Sequence, residues 1–183
     1  MMNTGAMTVC PSGQYRVLDG RSTVCRDCPR GYYCNINSLL PQACLAGYTS
    51  TVNSTSCTEC PVGYYCPSRG AVPYLCPLGT YQTQLGQTYC NSCPMGYYCP
   101  SIFVNTPIAC DLGTYGPTGN LTMCLPCPAG SKCPTAATRT PVICPLGTYS
   151  DVNATSCITC EGGYACPDTR IASKVLCDAS VLG

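Results

Sequence analysis

Cysteine is the residue type here whose chemistry recurs at a set spacing, and a thiol can form a disulfide, ligate a metal or exchange in redox reactions. Five C-x2-C pairs occur: Cys25/Cys28, Cys57/Cys60, Cys90/Cys93, Cys124/Cys127 and Cys157/Cys160. A further cysteine follows each pair after five intervening residues, at Cys34, Cys66, Cys99, Cys133 and Cys166. A single C-x2-C is half of a zinc site or a thioredoxin-like redox pair. Zinc is disfavoured because the chain has no histidine and the surroundings are Gly/Tyr/Thr-rich in the manner of secreted proteins. Redox catalysis is disfavoured because no βαβ pattern encloses any pair. Twenty-one cysteines in 183 residues is the density of a disulfide scaffold. Disulfides persist in oxidising compartments, so the expected location is extracellular or at the cell surface, with no metal or cofactor.

Asparagine supplies the second candidate chemistry. Asn53-Ser-Thr, Asn120-Leu-Thr and Asn153-Ala-Thr fit the N-glycosylation acceptor pattern, and each asparagine stands four residues before the second cysteine of its repeat. N-linked glycans are therefore expected at Asn53, Asn120 and Asn153. Catalytic groups are scarce. The eight acids, among them Asp19, Glu59, Asp151 and Glu161, do not recur as paired carboxylates, and no nucleophile, phosphate or calcium motif is present, so an enzyme is not expected. Nine basic against eight acidic residues leave no basic surface for nucleic acid or anionic lipid.

The elements that position these residues follow from a repeat. A first cysteine recurs at Cys10, Cys44, Cys76, Cys110 and Cys144, and Cys177 follows. This divides the chain into an N-terminal segment 1–9, repeats at 10–43, 44–75, 76–109, 110–143 and 144–176, and a degenerate start or tail at 177–183. Gly13, Gly47, Gly79, Gly113 and Gly147 stand three after the first cysteine, and Gly31, Gly63, Gly96, Gly130 and Gly163 three after the third. Glycine at a fixed offset implies a turn needing positive φ or close backbone approach. Tyr15, Tyr48, Tyr81, Tyr115 and Tyr149 keep the first register and Tyr32, Tyr64, Tyr97 and Tyr164 the second. These rings are expected to cover disulfides or neighbouring repeats, since tryptophan is absent and Phe103 is the one phenylalanine. Proline and glycine interrupt every helical period, so the pattern predicts little or no helix and strands of two or three residues at most, in pieces such as TYQTQ and YLC. No stretch has the roughly 20 apolar residues of a membrane span. The opening MMNTGAMTV lacks a leader's basic and apolar regions, and the chain is read as a processed form or excerpt of a longer secreted protein.

The motif CPLGTY followed by CxxCPxGYYCP resembles the ephrin-receptor-like cysteine-rich repeat, itself similar to the modules of the tumour necrosis factor receptor ectodomain. The resemblance covers Cys10 to Cys166 and implies small disulfide modules stacked into an elongated rod. Such rods serve receptor stalks, adhesion proteins and secreted structural proteins, including surface coats of unicellular eukaryotes. Spacing alone leaves the pairing open. One scheme joins second to fourth and third to the next repeat's first, as in Cys157–Cys166 and Cys160–Cys177. The resemblance implies the other, with Cys10–Cys25, Cys28–Cys34, Cys44–Cys57, Cys60–Cys66, Cys76–Cys90, Cys93–Cys99, Cys110–Cys124, Cys127–Cys133, Cys144–Cys157 and Cys160–Cys166, leaving Cys177 over. A bridge closing about 15 residues is worth roughly 3 kcal/mol in the chain-entropy model. The fourth repeat departs from the pattern, with Ser131 and Lys132 in place of both tyrosines, and the fifth reads CEGGYACP.

The fold class expected is a small disulfide-rich tandem array. The function expected is an extracellular structural protein, a glycosylated crosslinked rod that forms or coats a fibril, sheath or flagellar-hair-like appendage through self-association. The alternative is a receptor or adhesion ectodomain binding a protein ligand, for which the fourth repeat, with Ser131, Lys132 and Arg139, is the individual one.

Overall fold

The computed structural model describes residues 9–20, 22–101 and 105–166, together with the backbone of 175–176. Cys177, Phe103, residues 1–8 and the tail 177–183 lie outside the described residues. Regular structure within them is short β-strand without helix, closed by ten disulfides at the repeat spacing, which is a small disulfide-rich tandem repeat fold.

The chain divides into two compact units, one of Met1–Cys76 with Gln82–Asn91, the other of Pro77–Tyr81 with Ser92–Gly183. In the first unit, β1 (Gln14–Asp19) pairs antiparallel with β2 (Ser22–Asp27), with Asp19 opposite Ser22 at the closed end. Six residues exceed the two or three expected of any strand. The cause is the tight turn that follows Asp19, with Gly20 at φ 63°, which lets the alternating QYRVLD segment fold back on STVCRD. The remaining hairpins of this unit are two residues wide: Tyr32–Tyr33 with Gln42–Ala43, Tyr48–Thr49 with Thr58–Glu59, and Tyr64–Tyr65 with Tyr74–Leu75. The second unit repeats the device from Tyr97–Tyr98 with Ile108–Ala109 to Tyr164–Ala165 with Val175–Leu176.

Within each repeat of about 33 residues lie two turns built alike. Every C-x2-G, at Cys10, Cys28, Cys44, Cys60, Cys76, Cys93, Cys110, Cys127, Cys144 and Cys160, makes a turn whose glycine has φ between 76° and 87°. The following hairpin is closed when the next turn's cysteine N–H donates to that glycine carbonyl, as Cys44 does to Gly31 and Cys127 to Gly113, both at 2.9 Å. The glycine N–H reaches forward instead. In the first unit Gly13, Gly31, Gly47 and Gly63 donate to the carbonyls of Cys34, Ser50, Cys66 and Gln82; in the second, Gly79, Gly96, Gly113 and Gly130 donate to those of Cys99, Gly116, Cys133 and Ser150. Each of these eight turns thus satisfies the backbone of a neighbour, which is how two-residue strands persist without a sheet of more than two strands.

The core is sulfur. Cys10, Cys28, Cys34, Cys60, Cys66, Cys93, Cys99, Cys110, Cys127 and Cys133 are fully buried, while large aliphatic side chains remain exposed. The structure joins Cys10–Cys25, Cys28–Cys34, Cys44–Cys57, Cys60–Cys66 and Cys76–Cys90 in the first unit. Cys93–Cys99, Cys110–Cys124, Cys127–Cys133, Cys144–Cys157 and Cys160–Cys166 follow in the second. The two cysteines of each C-x2-C therefore belong to different bridges.

The two kinds of turn differ at the sixth residue after the C-x2-G cysteine. In the second half of a repeat this is the fourth cysteine, bridged within its own turn. In the first half it is Arg16, Ser50, Gln82, Gly116 or Ser150. Gln82 and Ser150 are 1% and 0% exposed and carry their own bonds inward. Ser150 Oγ donates to Ser131 O at 2.7 Å, Ser50 Oγ to Tyr32 O at 2.6 Å, and Gln82 Nε2 to Tyr89 O at 2.9 Å, while Gln82 Oε1 accepts from Gln84 N. At Ser50, Gln82 and Ser150 a satisfied polar side chain stands where the other turns have their disulfide.

Candidate functional site

Among the described residues a single backbone position recurs from turn to turn and holds the asparagine of all three acceptor-pattern triplets. Asn37, Asn53, Gly70, Gly86, Asn120, Ala137 and Asn153 are left-handed, with φ from 57° to 72°. Their N–H groups donate back to the carbonyls of Cys10, Cys28, Cys44, Cys60, Cys93, Cys110 and Cys127 at 2.8–3.2 Å. Glycine and asparagine are the residues that enter this region at least cost. The common register of Asn53, Asn120 and Asn153 thus has a backbone cause. Asparagine is suited to the position whether or not it carries sugar, and Asn37 sits there without an acceptor triplet.

The same position packs tightly. A Cβ on Gly13 would meet the Asn53 carbonyl oxygen, one on Gly79 that of Asn120 and one on Gly113 that of Asn153, each at 2.3–2.4 Å. Asn53, Gly70, Gly86, Asn120, Ala137 and Asn153 therefore each touch the two turns before them, the N–H meeting one and the carbonyl the other.

Asn53, Asn120 and Asn153 are exposed, as are Thr55, Thr122 and Thr155. Their amides are not equivalent. With the sugar-free Asn53 amide oriented to donate, Nδ2 reaches Gly13 O at 3.1 Å and Asp27 Oδ1 at 2.8 Å. Gln14 Nε2 donates to the same Asp27 oxygen at 3.0 Å. Asn53 thereby ties the second repeat to the first.

The tyrosines pack as plates. The Tyr32 ring lies against Gly70, where an added Cβ would come within 3.0 Å of it, and Tyr64 packs on the buried Cys60, Cys66 and Ala71. Tyr65 and Tyr74, facing each other across a hairpin, have ring centroids 5.7 Å apart. The departures of the fourth repeat are absorbed by the fold. Ser131 is buried opposite Ile143, accepting the Ser150 hydroxyl at its carbonyl, and Lys132 is half-buried opposite Val142. Asp19, Glu59, Asp151 and Glu161 all lie at the surface. Among the described residues, no group of three or more acidic, cysteine or histidine side chains is placed to hold a metal ion, and no helix is long and apolar enough to cross a membrane.

Sequence reading did not find the half-length period, the left-handed position or the polar plugs Ser50, Gln82 and Ser150. The signal for the first was present, since C-x2-G occurs ten times at intervals of 16 to 18 residues. No family model and no curated protein matches this chain.

Proposed function

We propose that this chain is a segment of an extracellular structural protein, glycosylated at Asn53, Asn120 and Asn153, that self-associates to form or coat a fibril, sheath or flagellar-hair-like appendage of a unicellular eukaryote. Its many disulfides point to an extracellular protein. The observation that carries the finer reading is the uniformity of the turns. From Gly13 to Gly130 the same donors meet the same acceptors, and in the one repeat whose sequence stood apart, the fourth, Ser131 and Lys132 turn to packing while Arg139 stays exposed. A chain built by repetition gains mechanical continuity, with each turn stabilised by its neighbours. Solvent-facing acceptor triplets suit a sugar-coated surface. The resemblance to ephrin-receptor-like repeats supports the same reading, since modules of that kind occur in secreted structural proteins.

The test is electron microscopy of the untreated source material, with averaging along any filament, beside mass mapping of sugar on the three asparagines. Filaments containing this chain support the reading. Separate short particles that bind one partner at fixed stoichiometry would replace it with the receptor or adhesion reading.

A further inference from the structure

The first repeat is the one that breaks uniformity. Its six-residue hairpin projects Leu18, 77% exposed, beyond the two-residue ladder of every other turn. Beside β1 the backbone of Ser38 accepts the Arg16 N–H at 2.8 Å, which brings Leu39 and Leu40, 65% and 75% exposed, alongside the hairpin. Tyr15, Arg16, Leu18, Arg26, Leu39 and Leu40 line an open groove of about 720 Å³. Neither arginine is ion-paired among the described residues: the Asp27 carboxylate holds Gln14 and the Asn53 amide, and Arg16 Nε is buried without an acceptor. Protruding leucines around unpaired guanidinium groups match the apolar core and arginine-rich composition of protein interfaces.

The fifth repeat exposes residues of opposite character. In the first repeat Arg16, Arg21, Arg26 and Arg30 outnumber Asp19 and Asp27, whereas in the fifth Asp151, Glu161 and Asp168 outnumber Arg170 and Lys174. The fifth repeat also exposes Leu146, Val152 and Ile158. We propose that the groove of the first repeat receives the acidic, aliphatic fifth repeat of a second copy of this chain. The contact is heterologous, so it propagates from copy to copy into a ring or an open filament according to the rotation between copies. This inference rests on the self-association reading above and names the surfaces that carry it.

The experiment is sedimentation of the glycosylated, fully oxidised chain at salt between about 0.05 and 0.5 M, across which the screening length falls from roughly 14 to 4 Å. Association is expected at low salt and loss of it at high salt. Arg16→Glu/Arg26→Glu should weaken association about tenfold or more, and adding Asp151→Lys to the same chain should restore part of it. Leu39→Ser/Leu40→Ser tests the apolar rim without changing charge and should also weaken association. All variants are compared only after mass spectrometry shows ten intact bridges. Association that persists in both groove variants overturns the groove while leaving self-association standing. Wild-type chain that stays monomeric at every salt overturns both.

Discussion

Gly113 offers a test of the packing that can be separated from conformational preference. Gly113 and Gly147 begin the same C-x2-G-T-Y turn and both have φ +78°. At Gly113 an added Cβ would sit 2.3 Å from the Asn153 carbonyl oxygen, while at Gly147 nothing among the described residues lies within 4 Å. Alanine at either site incurs the left-handed penalty, about 1–2 kcal/mol. At Gly113 the Cβ and oxygen must also separate by about 1 Å to reach ordinary contact. That movement strains three backbone bonds: Gly113 N to Cys133 O, Cys127 N to Gly113 O and Asn153 N to Cys127 O, now 2.9–3.0 Å long. Losing two of them at about 1 kcal/mol each puts Gly113→Ala roughly 2 kcal/mol beyond Gly147→Ala. The assay is guanidinium unfolding of the oxidised chain, followed by hydrogen exchange of the Cys127 and Asn153 amides. Faster exchange at those amides in Gly113→Ala, and not in Gly147→Ala, is the expected result. Equal destabilisation within about 0.5 kcal/mol would refute the claim that turn-to-turn contact, rather than dihedral preference, sets the requirement for glycine.

Removing sugar at Asn53 by two routes should give different stabilities. Thr55→Ala leaves the amide in place, whereas Asn53→Gln also withdraws it from Gly13 O and Asp27 Oδ1, for about 1 kcal/mol more loss in thermal unfolding. Gln82→Leu, which leaves the Tyr89 carbonyl and the Gln84 N–H without their partner, is expected to cost about 1–3 kcal/mol by denaturant midpoint. Reduction of the ten bridges should abolish the near-ultraviolet circular dichroism of the tyrosines, while a strong zinc chelator leaves it unchanged; a chelator-induced loss would mean that metal holds the fold. Partial proteolysis without reduction should release fragments in which Cys57 is linked to Cys44 and Cys60 to Cys66; a fragment linking Cys57 to Cys66 would contradict the pairing seen here.

Composition and spacing alone determined the disulfide-rich class, the tandem order, the turns at each C-x2-G and the want of helix. Those properties are local or countable: glycine at a fixed offset admits positive φ, and frequent proline and glycine stop helix propagation wherever the chain goes. Tertiary structure decided what depends on residues distant in sequence. Which cysteine meets which is a matter of approach in space, and spacing alone left two pairings open. Gln82 and Ser150 look like ordinary polar residues until the neighbouring turn closes over them and their side chains must bond inward. Asn53 reads as a glycan acceptor in sequence; the fold adds its role as a left-handed pivot touching Cys28 and Gly13, forty residues away at the farther contact. The long first hairpin was not read from sequence, because the frequent proline and glycine elsewhere in the chain implied short strands throughout. The groove beside it exists because Ser38 pairs with Tyr15, a contact between segments that no periodicity in the sequence connects.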